Sequence, residues 1–313
     1  MFYSLVKIWV RLALRIFCTN TRVRGRESLS LAGPVLLVAN HPNSFLDAIV
    51  IGAQFDRPVH FLARGDAFHK PWHNALLRLL NMIPIYRLRE GKENLHLNEK
   101  AFQRSKEVLE AGGIVLIFIE GICLNTHQLQ PFKKGAARIT WENRQLPGFS
   151  ILPMGIAFDD FRRFGKEVIM HFGKPLLPQT LLPYEEEARS LICFNKILYD
   201  EINQRIELPD TGRITMAEKI SYACIALPAC CIHAPLYYPV KKLVQQKTRG
   251  TVFYDSVLFG VLLFVYPLYV LLLCYLLLLT TGLLSLAWLI FLLIPFSAWI
   301  AVRWRKSFYA ELR

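Results

Sequence analysis

The spacing of apolar and polar positions divides the chain into an amphipathic start, a long mixed region and an apolar end. In the opening stretch FYSLVKIWVRLALRIF, Lys7, Arg11 and Arg15 fall four residues apart and share one helical stripe. Phe2, Leu5, Trp9, Leu12 and Ile16 lie largely on other faces. A cleaved signal would have an uninterrupted apolar core and a small-residue cleavage site. Residues 1–20 are therefore expected to form a helix lying in a membrane interface, its basic side toward the headgroups. A core helix with three snorkelling charges is the alternative.

From 21 to 215, short apolar runs alternate with helical patterns. Strands are predicted at 34–40 (PVLLVAN), 58–63 (PVHFLA), 113–119 (GIVLIFI), 150–158 (SILPMGIAF) and 167–172 (EVIMHF). Helices are predicted at 44–53, 70–80, 93–110, 135–145 and 184–206, the last opening on Glu185, Glu186 and Glu187 as a first turn should. Strands alternating with helices give an α/β fold, a sheet layered by helices.

The end of the chain is different. From Ser256 to Val302, 47 residues pass without an acid, a base or a histidine. One spanning helix takes roughly 20 apolar residues, so this run predicts two, 257–279 and 283–302, joined by Thr280-Thr281-Gly282. Residues 251–313 are assigned to that transmembrane hairpin. Before it, ISYACIALPACCIHAPLYYPV (220–240) is long enough to span, yet Pro228, Pro235 and Pro239 interrupt it. A crossing there would also put the next basic cluster outside, so 216–250 is expected to be an interfacial or re-entrant segment followed by a basic linker.

Charge sharpens the membrane reading. Lys and Arg number 37 against 24 Asp and Glu, a formal net charge of +13, in a chain that is 53% hydrophobic. Lys241, Lys242, Lys247 and Arg249 precede the hairpin, and Arg303, Arg305, Lys306 and Arg313 follow it. Positive charge at both ends predicts that both face the cytoplasm, with the domain 21–215 on that face and the connector outside. The excess would also draw the chain to anionic lipid, at about 1 kcal/mol per basic residue near the surface. A nucleic-acid partner is not expected: there is no C2H2 spacing, no RRM-like aromatic signature and no basic recognition helix. The cysteines at 18, 123, 193, 224, 230, 231 and 274 show neither C-x-x-C nor paired spacing with histidine, which suggests free thiols rather than a zinc site or disulfides.

Candidate chemistry begins at VANHPNSFLDA, residues 38–48. Ser44 and Asp47 have the spacing of a capping box, which would make His41 a turn residue and Asp47 a helix-end cap. Alternatively, His41 and Asp47 form a catalytic pair. Three further stretches stand at predicted strand ends or in the following connections, where α/β sheets place their sites. NMIPIYRLREGK ends an apolar helix and presents Arg87, Arg89 and Lys92. IFIEG carries Glu120 and Gly121, and QPFKKGAAR carries Lys133, Lys134, Gly135 and Arg138. Taken singly, each could be a solvated charge cluster; Arg and Lys also suit phosphate.

Taken in order, HPNSFLD, IPIYR, EG and LPMGIAF resemble the four blocks of the glycerolipid acyltransferase family typified by lysophosphatidate acyltransferase. The resemblance covers about residues 22–176, with smaller echoes at VRGRESL and HFGKPL. It implies that His41 is a general base for an acceptor hydroxyl attacking an acyl thioester, and that Asp47 orients its imidazole. It implies that Arg87 holds the acceptor's phosphate, that Glu120 and Gly121 shape the acceptor site, and that Lys134 is a further phosphate contact. The fourth block, around Pro153, would be structural. The implied donor is acyl-acyl-carrier-protein or acyl-CoA, the acceptor a glycerolipid in a phospholipid membrane, and no cofactor or metal is implied, since a thioester is already activated.

Two departures stand out. The family places four residues between His and Asp; here there are five, Pro42 through Leu46. On a helix one extra residue turns a side chain by about 100°, so His41 is expected in the preceding turn, with Pro42 absorbing the insertion. The third block reads FIEGIC where the family has FPEGTR, so Ile119, Ile122 and Cys123 replace a proline, a hydroxyl and an arginine. No G-x-S-x-G elbow, H-E-x-x-H or Walker loop is present. The expected function is membrane-bound acyl transfer, with lysophosphatidate the first choice of acceptor. Glycerol 3-phosphate, another lysolipid or an amino-acid lipid would serve the same chemistry. A membrane-anchored, lipid-binding pseudoenzyme is the reading from another class.

Overall fold

The computed structural model describes residues 2–86, 97–210 and 216–309. Its centre is a seven-stranded sheet: β1 (Cys18–Arg24), β2 (Val35–Ala39), β3 (Val59–Arg64), β4 (Met82–Ile85), β5 (Ile114–Phe118), β6 (Ser150–Phe158) and β7 (Lys166–Phe172), in the order β1-β7-β6-β2-β5-β3-β4. Only the β6–β7 pair is antiparallel. All five residues of β2 and all nine of β6 are buried, as a parallel centre covered on both faces requires.

The period of two along β2 distributes its side chains to two cores. Leu37 and Ala39 join Leu14 and Phe17 of α1 (Phe2–Phe17), Leu46 and Ile51 of α2 (Phe45–Gly52), and Leu258 and Phe259 of α9 (Tyr254–Thr281). Leu36 and Val38 join Phe102 of α4 (Leu97–Glu110), Ile139 of α5 (Gly135–Glu142) and Phe194 of α7 (Glu187–Asn203). The remaining helices are α3 (Pro71–Leu79), α6 (Pro178–Leu181), α8 (Met216–Lys247) and α10 (Leu284–Tyr309). The fold is thus the expected sheet layered by helices, with one addition: the start of the apolar hairpin is part of the domain's core.

The elements predicted from 34 to 206 occur where the patterning put them, apart from residues 87–96, which lie outside the described residues. Two strands escape that patterning. NMIPIYR, expected to end a helix, leaves α3 at Asn81 (φ 60) and becomes β4. As an edge strand β4 tolerates Pro84, which lacks a ladder donor. β1, CTNTRVR, is the opposite edge, and its polar composition hid it.

The elements expected at a membrane differ from expectation in two respects. Two of the three residues of the basic stripe of α1, Lys7 and Arg11, turn to the domain, while Arg15 is exposed. Lys7 Nζ donates to the carbonyls of Phe55 (3.1 Å) and Asp56 (2.7 Å), and Arg11 Nε donates to that of Ala53 (2.6 Å). These carbonyls follow the C-terminus of α2, where a cation is favoured. Phe2, Leu5, Ile8, Trp9 and Leu12 are the exposed large apolar side chains of α1. Residues 216–247, expected to be broken by prolines, form one helix. Among the described residues, three helices could cross a membrane by length and composition: Ala223–Lys247, Tyr254–Thr281 and Leu284–Ser307. α8 packs along the other two, where Tyr269 Oη donates to Ile232 O (2.5 Å) and His233 Nε2 meets Ser297 Oγ (3.1 Å). The connector falls at Gly282, with φ 67, as a helix C-terminus favours.

Candidate active site

The register of the central strands brings the first and third motifs together. Ala39 pairs with Phe118 in parallel, so two residues further on His41 stands beside Glu120. The ladder continues past the strands, with Ile119 N donating to Ala39 O at 3.1 Å. Glu120 Oε2 accepts from His41 N (3.1 Å) and Oε1 accepts from Gln130 N (3.2 Å). Both of its oxygens therefore clamp backbone, fixing the turn that carries His41. Burial pushes the Glu120 carboxyl up, partly offset by those two N–H bonds.

His41 lies in the turn before α2, as expected, and its Nδ1 is 2.9 Å from Asp47 Oδ2. Asp47 is fully buried, while 13% of the His41 side chain remains accessible. The ring stacks on Phe118 at 3.9 Å between centroids, with planes 10° apart. Burial raises the Asp47 carboxyl; the hydrogen bond and charge of His41 oppose this, as does the Asn43 N–H. That N–H reaches the same oxygen at 2.8 Å. An acid so placed fixes Nδ1 as the protonated nitrogen and leaves Nε2 to accept a proton.

The capping-box alternative is half realised. Asp47 does reach back to a turn N–H, that of Asn43, but Ser44 makes no side-chain cap. The extra residue is absorbed at Ser44 rather than Pro42. Ser44 has φ 53 and ψ −141, a region costly for a residue with a Cβ. Its N–H donates to Cys123 Sγ at 2.9 Å. The substituted third block thus meets the inserted residue in the first: Cys123 holds the one backbone reversal that lets His41 and Asp47 pair across five residues.

The other expected residues are less closely joined. Gly121 has φ 61, and a Cβ there would lie 2.8 Å from Lys133 Cγ, which accounts for a glycine at this turn. Lys133 N donates to Ile119 O (2.8 Å), keeping the basic turn beside the third motif, and Lys134 is exposed at the entry to α5. Arg87, with Arg89 and Lys92, lies outside the described residues. A cavity of about 610 Å³ between α1, α8, α9 and α10 is lined by Phe17, Phe259 and Tyr266 among others, without His41 or Asp47.

Several contributors were not foreseen. Asn40 pairs its side chain with both backbone groups of Ile156, donating to O at 3.0 Å and accepting from N at 2.8 Å. Asn125 Nδ2 donates to Pro42 O (3.0 Å). From α9, Ser256 Oγ accepts from Leu46 N (2.9 Å), and Asp255 Oδ2 accepts from Asn43 Nδ2 (2.7 Å). Asp255 was visible as the last charge before the apolar run; nothing local tied it to residue 43.

Residues 20–157 match the Acyltransferase family model. Over 138 residues the chain is 26% identical to the chloroplastic 1-acyl-sn-glycerol-3-phosphate acyltransferase BAT2 of Brassica napus; the match covers 44% of this chain and 38%, about two-fifths, of that relative's length. Among solved structures, it is similar to the 1-acyl-sn-glycerophosphate acyltransferase PlsC of Thermotoga maritima, with a TM-score of 0.46, 22% identity, and coverage of 64% of this chain and 78% of that one.

Proposed function

We propose that residues 20–157, which match the Acyltransferase family model, form an acyltransferase domain, and that the chain moves a fatty acyl group from an acyl thioester to the hydroxyl of a glycerolipid, lysophosphatidate first. The observation that carries this reading is the 2.9 Å contact between His41 Nδ1 and buried Asp47. With Nδ1–H directed at the carboxylate, Nε2 takes the proton from the acceptor hydroxyl as its oxygen attacks the thioester carbonyl. The tetrahedral intermediate collapses, the C–S bond breaks, and the leaving thiolate takes the proton back from the imidazolium. Acyl-acyl-carrier-protein and acyl-CoA both fit this step as donors. Glu120 and Gly121 act by fixing the turn, and Lys134 and Arg87 are the cations proposed for the acceptor's phosphate.

A binding protein without turnover has no use for an imidazole so oriented, and a His–Asp pair too far apart to bond would have favoured it. The test is reconstitution of the full chain in liposomes with either thioester, offering glycerol 3-phosphate, lysophosphatidate and several lysolipids, and identifying products by mass spectrometry. Phosphatidate formed from lysophosphatidate is the expected product. A different acylated product keeps the chemistry and replaces the acceptor. No acylated product from folded protein removes the reading.

The domain is proposed to sit on the cytoplasmic face, at the basic ends of α9 and α10. Lys306 near the end of α10 bonds Glu167 of β7 (2.6 Å), and Ser256 at the start of α9 bonds Leu46 of α2, so both helix ends lie against the domain. Positive charge there favours the cytoplasm. In a variant cleared of native thiols, a cysteine at Thr281 should react with an impermeant maleimide from the far side only. One at Arg249 should react from the cytoplasmic side only; the opposite pattern would invert the topology.

A further inference from the structure

The helix that follows His41 is held at both ends by elements outside the central sheet. At its C-terminal end, Lys7 and Arg11 of α1 bind the carbonyls of Ala53, Phe55 and Asp56. Its N-terminal end is met by the first turn of α9. A helix N-terminus leaves N–H groups without intrahelical partners, and α2 lacks the usual local remedy because Ser44 makes no side-chain cap. Ser256 supplies it from 210 residues away, Oγ accepting from Leu46 N at 2.9 Å. The same hydroxyl lies 3.5 Å from Asn43 O, to which it donates.

Asn43 is gripped from two directions. Its backbone N–H donates to Asp47 Oδ2, the oxygen that also meets His41, while its side-chain amide donates to Asp255 Oδ2. Asp255 is paired with Lys166 at the start of β7, and both side chains are fully buried. Lys166 Nζ also donates to Asp160 O at 3.0 Å. A continuous path of bonds therefore runs from the sheet through Lys166, Asp255 and Asn43 to Asp47 and His41. Residues 255 and 256 lie outside 20–157, the segment that matches the family model.

We propose that Ser256 and Asp255 are positioning residues for the His41–Asp47 pair, so that the apolar hairpin completes the active site as well as anchoring it. This deepens the acyl-transfer reading and rests on it for its kinetic consequences. Ser256 sets where α2 begins; Asp255 sets where Asn43 holds the carboxylate. Neither is placed to touch a substrate through the bonds described. Undocking of α9 would release three contacts on the turn 43–46 together, leaving the strained Ser44 to the Cys123 thiol and the Asp47 N–H that bonds its carbonyl.

Ser256→Ala removes a small neutral group and leaves the Lys166–Asp255 pair intact; Ser256→Thr restores the hydroxyl. In the full chain in liposomes, Ser256→Ala should lower kcat by about 10- to 100-fold, the scale of an ångström-sized misplacement. KM for donor and acceptor should stay within a few fold, and Ser256→Thr should recover most of kcat. A purely structural role would reduce the amount of folded protein and leave kcat per folded molecule unchanged.

A second readout does not need turnover. Carbethoxylation of His41 by diethylpyrocarbonate, followed by peptide mass spectrometry with exposed His69 as the internal reference, should speed up several fold in Ser256→Ala and return toward the parent rate in Ser256→Thr. Unchanged His41 reactivity in Ser256→Ala, or unchanged kcat per folded molecule, overturns the proposal. Failure of the acyl-transfer reading would look different: the parent protein would acylate no acceptor, whatever the labelling rates of the variants.

Discussion

His41→Ala is expected to lower kcat/KM for acyl transfer by about 10²- to 10⁴-fold, the range a positioned general base contributes, with the protein still folded. The side chain stacks on Phe118 and bonds Asp47, but the turn is held by backbone contacts that alanine keeps: His41 N to Glu120, Asn43 N to Asp47 and Leu46 N to Ser256. Asp47→Asn is the informative companion. The amide nearly preserves the shape, yet it can present an N–H to Nδ1, which would move the imidazole proton to Nε2 and remove the base. Both variants should therefore lose kcat more than they raise KM, measured from initial rates with saturating thioester. Rates within threefold of the parent for His41→Ala would remove His41 from the chemistry and return VANHPNSFLDA to a helix-capping role.

Much of this site was legible because parallel strands convert sequence blocks into neighbours. PVLLVAN and GIVLIFI are strongly apolar, and their pairing at Ala39 and Phe118 fixes His41 beside Glu120. The same patterning could not reveal β1 or β4. Edge strands are half exposed, so their composition carries less of the burial signal, and β4 contains a proline. The position of the backbone reversal was also hidden. Pro42 was the residue with a restricted φ, but the adjustment falls on Ser44, because a thiol from another block holds its N–H. Charge on α1 misled for a related reason. A stripe of Lys and Arg beside apolar residues suits headgroups or carbonyls equally well, and only packing shows that Lys7 and Arg11 serve the end of α2.

Least legible was the part played by the hairpin. Hydropathy marks Ser256–Val302 as apolar and stops there; it does not say that Ser256 caps a helix over 200 positions earlier or that Asp255 bonds the turn before it. Proline likewise suggested a broken segment at 220–240, where the chain continues as one helix. Prolines are tolerated in apolar helices when neighbouring helices, side chains or local adjustments satisfy the freed backbone groups, and α9 lies against this stretch, with Tyr269 donating to Ile232 O in the turn before Pro235.

The buried pair behind that cap gives the largest expected change in stability. Lys166→Met leaves the Asp255 carboxylate fully buried without its cation, and breaking a buried pair from one side costs about 3–5 kcal/mol. Adding Asp255→Asn to that variant removes the stranded charge, and the amide oxygen can still accept from the Asn43 side chain. The double variant should therefore regain most of the loss, ending within about 2 kcal/mol of the parent, since a neutral replacement of a buried pair is often close to neutral. Denaturant unfolding of the detergent-solubilised full chain would measure all three. The restored variant should also regain acyl transfer, because its hydrogen bond to Asn43 survives. A Lys166→Met cost below about 1 kcal/mol would mean that the pair behaves as a solvated surface contact, which is incompatible with two fully buried side chains. Recovery of stability without recovery of activity would instead show that the charge itself, and not only the bond to Asn43, is needed to hold Asp47 against His41.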